Sequence, residues 1–429
     1  MKCLFAVLSA TALTASALAA PLDPVLSGDK LWTQKPDEFM AAAGKLGFEW
    51  TSNAHDTARA AVREMTAFSL PTTECIARFE GDALKQITVV LYARGDSGTW
   101  TEDKFDSLVR DAASALNNAS NAKPTVRGKD PTSAVKAEGI IWVNDKARYL
   151  LEYSKTKEVK TRNIPFRAEF VRLEIMPPEK KMGMIATALG TASKRFHGPD
   201  HVKKSAEGDV WIADVPMVDQ GQKGYCVVAS TERVMRYYGN AVDQQELAQV
   251  ANSSASGGTS FKAMYEALKK LSARLKIHVR EVEKSDVKDI QKMMAEYDRA
   301  AKKAGAPPIP PQGNTIELDE VYRAMDPVVF KEIRTKNKGE VSKFQRTVES
   351  HVNEGTPLLW TVMLGKVPEK GIPQNAGGHM RLIIGYNSKT NEILYSDSWG
   401  AGHELKRMPA DDAWAMTTGA MSIEPFSGP

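Results

Sequence analysis

Between residues 20 and 191 the apolar positions alternate over short runs and twice recur at helical spacing, which predicts a mixed α+β domain. Asp37–Leu46 reads as a short amphipathic helix. Ala77–Phe79 and Gln86–Tyr92 read as the strands of a hairpin turning at Gly81-Asp82. Thr101–Asn118 is a predicted helix, with Thr101 as N-cap and Phe105, Leu108, Ala112 and Leu116 on one face. Ile140–Val143, Ala147–Glu152 and Ala168–Leu173 read as further strands, the first two joined by a turn at Asn144-Asp145.

The pattern then changes. Residues 192–208, with Lys194-Arg195, Gly198-Pro199 and Lys203-Lys204, read as a linker open to proteolytic nicking. A second domain is expected over 209–429. A short strand, Val210–Val215, leads into a Gly-containing loop, and an apolar helical run from Val227 to Tyr238 stops at Gly239. Asp243 and Glu246 predict a capping box for the next helix. Phe261, Met264, Leu268 and Leu271 mark a third helix. Residues 283–352 are mostly charged and helical, interrupted by the stiff run Pro307-Pro308-Ile309-Pro310-Pro311, and read as an insertion or lid. Pro357–Leu364, His379–Tyr386 and Glu392–Tyr395 then read as strands. Helices first and strands later predict a helical half facing an antiparallel sheet half.

Composition narrows the partners. The 42% hydrophobic and 26% charged fractions are those of a globular protein, and a net charge of +4 argues for neither nucleic acid nor an anionic membrane surface. Lys2, the weakly apolar run Leu4–Leu18 and Ala17-Leu18-Ala19 predict a signal peptide over 1–19, and hence export to the periplasm or the medium. Its removal would take Cys3 with it and leave Cys75 and Cys226. Two cysteines make no disulfide framework; Cys75, among apolar neighbours, reads as a buried thiol.

The chemistry gathers around Cys226. It follows a glycine-containing loop and opens a helical run, where the unpaired N–H groups favour a thiolate. Six residues upstream, the Gln220 amide is a candidate oxyanion donor. His379 follows Gly377-Gly378 at a strand start, rigidly placed for proton transfer. Asp397 comes eighteen residues later, on the adjacent strand of a hairpin, placed to orient His379, and Trp399 is placed to shield the pair. The bland alternatives are a core cysteine, a structural histidine, a turn aspartate and a loop-capping amide. His403 is a rival base; His55 and His351 read as surface residues. No cofactor motif is read in the chain, and a lone Cys–His pair is weak support for zinc, so no metal is expected.

Taken together, Gln220 to Ser230, Gly377-Gly378-His379 and Asp397-Ser398-Trp399-Gly400 resemble the papain-like cysteine peptidases, with Asp397 where papain has asparagine. Tyr237-Tyr238-Gly239, Glu246-Leu247-Ala248 and Gly258-Thr259-Ser260 bring the resemblance nearer to the bacterial bacteriocin-processing (double-glycine) peptidases. It covers about 209–408 and departs at Lys223, which replaces a papain disulfide cysteine, and at Tyr225, where the bacterial relatives have aspartate. The resemblance implies a papain-like domain behind a separate α+β domain, and an exported cysteine peptidase acting on peptides or proteins. Cys226 would be its nucleophile, His379 its base and then acid, Asp397 the orienting group, and Gln220 with the Cys226 N–H its oxyanion hole. An amidase or acyltransferase, or a peptide-binding module that keeps the cleft, are the competing readings.

Overall fold

The computed structural model describes residues 20–178 and 196–426, apart from 63, 129–132, 222–223, 254–257, 285, 314–315 and 373–376. The predicted signal peptide and the first residues of the predicted linker lie outside them.

The fold is α+β, with two large antiparallel sheets and, among the described residues, a small three-stranded one of Ala20–Pro21, Met65–Ala67 and Leu70–Thr72. The N-terminal sheet runs, in spatial order, Glu49–Trp50, Thr57–Ala60, Glu74–Glu80, Ala83–Ala93, Arg167–Met176, Arg148–Thr156, Glu138–Val143 and Thr125–Val126. The expected hairpin is Glu74–Glu80 against Ala83–Ala93. The expected helix spans Glu102–Ser120, and Thr101 caps it by accepting from the Lys104 N–H. Its Phe105, Ala112 and Leu116 are buried against the sheet with Trp142, whose indole N–H donates to Asn117 at 2.7 Å.

The C-terminal sheet orders Val202–Lys204, Asp209–Ile212, Gly377–Asn387, Leu358–Leu364, Thr417–Pro425 and Ile277–Glu283, with Glu392–Ser396 also pairing onto Gly377–Asn387. Residues 202–204, within the stretch read as linker, therefore add a strand to this sheet. On one face the helix Cys226–Tyr237 packs Val227, Val228 and Val234 against Leu382, Ile384 and Met421. On the other, the helix Lys338–Asn353 buries Val341, Phe344, Val348 and Val352 against Trp360 and Ile383. The charged stretch 283–352 thus ends in a helix with one face in the core. Each fully buried large side chain of this kind contributes on the order of 2 kcal/mol.

One local expectation is corrected. Asp243 caps its helix by accepting from the N–H groups of Gln245 and Glu246. The Glu246 carboxylate does not complete a capping box. It accepts instead from Ser133 Oγ at 2.9 Å and from the Ala134 N–H at 2.6 Å, both in the N-terminal domain. A buried carboxylate gains more from two donors across a dry interface than from one weak local bond.

Candidate active site

Cys226 is the first residue of its helix, and Tyr225 before it supplies no side-chain cap. The first-turn N–H groups therefore favour negative charge at the sulfur. The helix is pinned by Arg233, seven residues on and buried. Its Nε donates to Pro216 O at 2.8 Å, one terminal nitrogen to Asp397 O at 2.9 Å and the other to Ser396 Oγ at 2.5 Å. Ser230 Oγ donates to Met380 O at 3.3 Å, tying the helix to the strand that carries His379.

That strand, Gly377–Asn387, starts two residues before His379 and pairs Val362 opposite it. The His379 Nε2–H donates to Asp397 Oδ1 at 2.7 Å. An ionised carboxylate only accepts, so Nε2 carries the proton in this pair and Nδ1 is left for the sulfur. Burial pulls the His379 imidazolium toward neutrality. The charge and hydrogen bond of Asp397, and then a hydrogen bond and charge interaction with Cys226, outweigh burial and push its pKa up to about 9. Trp399 stacks on the imidazole with ring centroids 4.5 Å apart.

Asp397 is buried and held from both sides. Arg381 Nε donates to its Oδ2 at 2.8 Å and the Ser398 N–H to its Oδ1 at 2.8 Å. Burial opposes its charge, but His379, then Arg381 and the Ser398 N–H, hold it below the usual carboxylate range. Arg381 in turn donates to both oxygens of Glu369, at 3.1 and 2.9 Å, and the Tyr395 hydroxyl donates to Glu369 at 2.5 Å. Gln220 is buried nearby. Its N–H donates to Ser398 O at 2.9 Å, and the Ser398 hydroxyl donates to its Oε1 at 2.7 Å.

The structure therefore brings Cys226, His379, Asp397 and Gln220 together. His403 stands at the edge of the Trp399 ring, 5.6 Å between centroids, and its backbone oxygen accepts from the Asp397 N–H; it serves the loop rather than the sulfur. His55 is an exposed turn residue stacked on Trp50, and His351 bonds Thr347 O within its helix. Cys75 is fully buried and unpaired with Cys226, its thiol pushed up by burial and by Glu74. Arg381 and Arg233 were missed by the motif reading. Their signals were spacing: two residues from His379 on one strand face, and seven from Cys226 on one helix face.

The histidine also couples the site to stability. Its folded pKa of about 9 lies above the ordinary value of 6.5, so the stabilisation is complete below pH 6.5 and is lost as pH rises through 9. The difference corresponds to about 3 kcal/mol. In urea melts, the stability gap between wild type and His379→Gln should narrow by that order between pH 6 and pH 9.5.

Residues 212–421 match the model of the Peptidase C39-like family. No curated protein matches the chain. Among the described residues no helix is long and apolar enough to cross a membrane.

Proposed function

Because residues 212–421 are a domain of the peptidase C39-like family, papain-like relatives of the bacteriocin-processing peptidases, we propose that this chain hydrolyses peptide bonds through Cys226. The observation that carries the reading is His379, bonded through Nε2 to Asp397 and through a further hydrogen bond to Cys226. The Cys226 thiolate attacks the scissile carbonyl carbon. Negative charge develops on the carbonyl oxygen, facing the Gln220 amide and the Cys226 N–H. The His379 imidazolium gives its proton to the leaving amine as the C–N bond breaks, leaving a thioester. His379 then takes a proton from water, which attacks the thioester and releases the acid and the thiolate. Asp397 keeps the imidazole in the required tautomer throughout. The peptidase family implies a peptide or protein substrate, and the sequence of residues 1–19 supports action in the periplasm or medium.

The test is acyl-enzyme capture. An activated peptide ester should give a burst of leaving group and an acyl mass on the Cys226 peptide, and a peptide mixture should show cuts that vanish once Cys226 is alkylated. Absence of both adduct and cleavage would reject hydrolysis in favour of a binding role.

A further inference from the structure

The family match begins at residue 212 and leaves the N-terminal domain without a role. That domain touches two stretches of the C-terminal one: residues 243–252, where Arg172 pairs with Asp243 and Arg94 and Arg167 bond Asn252, and residues 219–232, which carry Gln220 and Cys226. Arg59 pairs with Glu74 on its own sheet and reaches across to Asp219, with Nη1 3.5 Å from Oδ2. Asp219 uses its other oxygen to accept from the Gly221 N–H at 2.7 Å, so the two residues flanking Gln220 are tied to each other and to Arg59. Gly221 is in the left-handed region, φ +65°, and a Cβ there would stand 2.4 Å from the Arg59 guanidinium. The loop after Asp397 is held from the same side, where the Asn53 N–H donates to Glu404 at 2.9 Å.

The cysteine helix is gripped as well. Tyr225, directly before Cys226, is buried, with its phenol against Gly95; a Cβ on Gly95 would fall 1.7 Å from the phenol oxygen. Only glycine admits the ring so closely. Tyr225 thus faces the N-terminal domain rather than a substrate. Further along the helix, Arg78 bonds Glu232 at 3.3 Å.

We propose that the N-terminal domain is a permanent positioning element of the active site, with Arg59 holding the Gln220 turn and Gly95 seating Tyr225 at the start of the cysteine helix. The proposal rests on the peptidase reading above. It makes Arg59 a positioning residue: it does not touch the reacting atoms but sets where the oxyanion donor stands. Departure of the domain as a prodomain would uncover the Tyr225 ring and take from Asp219, Glu232 and Glu246 the partners they have on it: Arg59, Arg78, and Ser133 with the Ala134 N–H.

The experiment uses the full chain with Arg59→Gln, the double variant Arg59→Met/Glu74→Met and Gly95→Val, with Lys146→Ala as a control at an exposed ion pair. The double variant removes the buried Arg59–Glu74 pair as a unit, so no Glu74 charge is stranded in the core, and the part-exposed Asp219 keeps the Gly221 N–H. For folded variants by circular dichroism, turnover of the activated ester should fall roughly 10- to 100-fold, with KM changed less than about 3-fold, as expected when an oxyanion donor is displaced. His379-dependent labelling of Cys226 should persist in both Arg59 variants. Wild-type turnover in the folded double variant and in Gly95→Val would overturn the proposal while leaving the peptidase reading intact. Failure of wild type itself to show His379-dependent labelling would instead remove the reading, and the proposal with it.

Discussion

His379→Ala is expected to slow iodoacetamide labelling of Cys226 at pH 6 by about 100-fold, because an ordinary thiol has well under about 1% of its thiolate form at that pH. In the wild type the sulfur meets two favourable fields. One is the start of its own helix, which the substitution leaves in place. The other is an imidazolium that burial would neutralise but that Asp397 and Cys226 keep charged up to about pH 9. The second is the stronger, since it acts through a hydrogen bond in a buried, low-dielectric setting. Peptide mass mapping after timed labelling measures the rate, with fully buried Cys75 as the silent internal control. A rate unchanged by the substitution would mean that the sulfur is not paired with His379, and nucleophilic catalysis would lose its base.

Asp397→Asn is expected to lower turnover by roughly 10²- to 10⁴-fold, the range seen when an orienting carboxylate is made an amide. Papain has asparagine at the matching position, but here Arg381 faces the group with a donor. With its oxygen kept toward His379 and the Ser398 N–H, the new amide presents its NH₂ to Arg381 Nε–H, donor against donor. Flipped, the amide donates to His379 Nε2, which must then accept, and the proton moves to the nitrogen facing the sulfur. Either arrangement spoils the pair. Asp397→Asn/Arg381→Met removes the donor clash, so its turnover should exceed that of Asp397→Asn alone. Strict additivity of the two single effects would show that Arg381 does not set the need for a carboxylate.

The candidate site was readable from sequence because its parts are local. Gln220 and Cys226 share one loop and helix start, and His379 and Asp397 lie on one hairpin, so spacing and strand order suffice to bring each pair together. The supports were less visible. Arg381 and Arg233 sit at strand and helix periods that also describe ordinary core positions. Glu369 lies in a loop between strands, where no period operates. In the fold, Ile277–Glu283 and Thr417–Pro425 went unread as strands. The first exposes His278, Arg280 and Glu281 and so breaks strict alternation; the second has Gly419 and a register shift where it joins Leu358–Leu364. The capping box failed for a related reason. Local sequence holds the Asp243 cap, but it cannot see Ser133 and Ala134 arriving from a distant part of the chain.

The bonds that assemble the site span long stretches of chain: 150 residues from Ser230 to Met380, 164 from Arg233 to Asp397 and 178 from Gln220 to Ser398. Contacts of such high order form late, since the intervening loop must close before any of them rewards it. As the chain leaves the ribosome, the sulfur is made long before its histidine, its carboxylate or the serine that turns the Gln220 amide. A nascent chain carries Cys226 as one more unactivated thiol. Activation waits on completion of the hairpin near residue 398, so topology alone delays the chemistry until the whole molecule has folded.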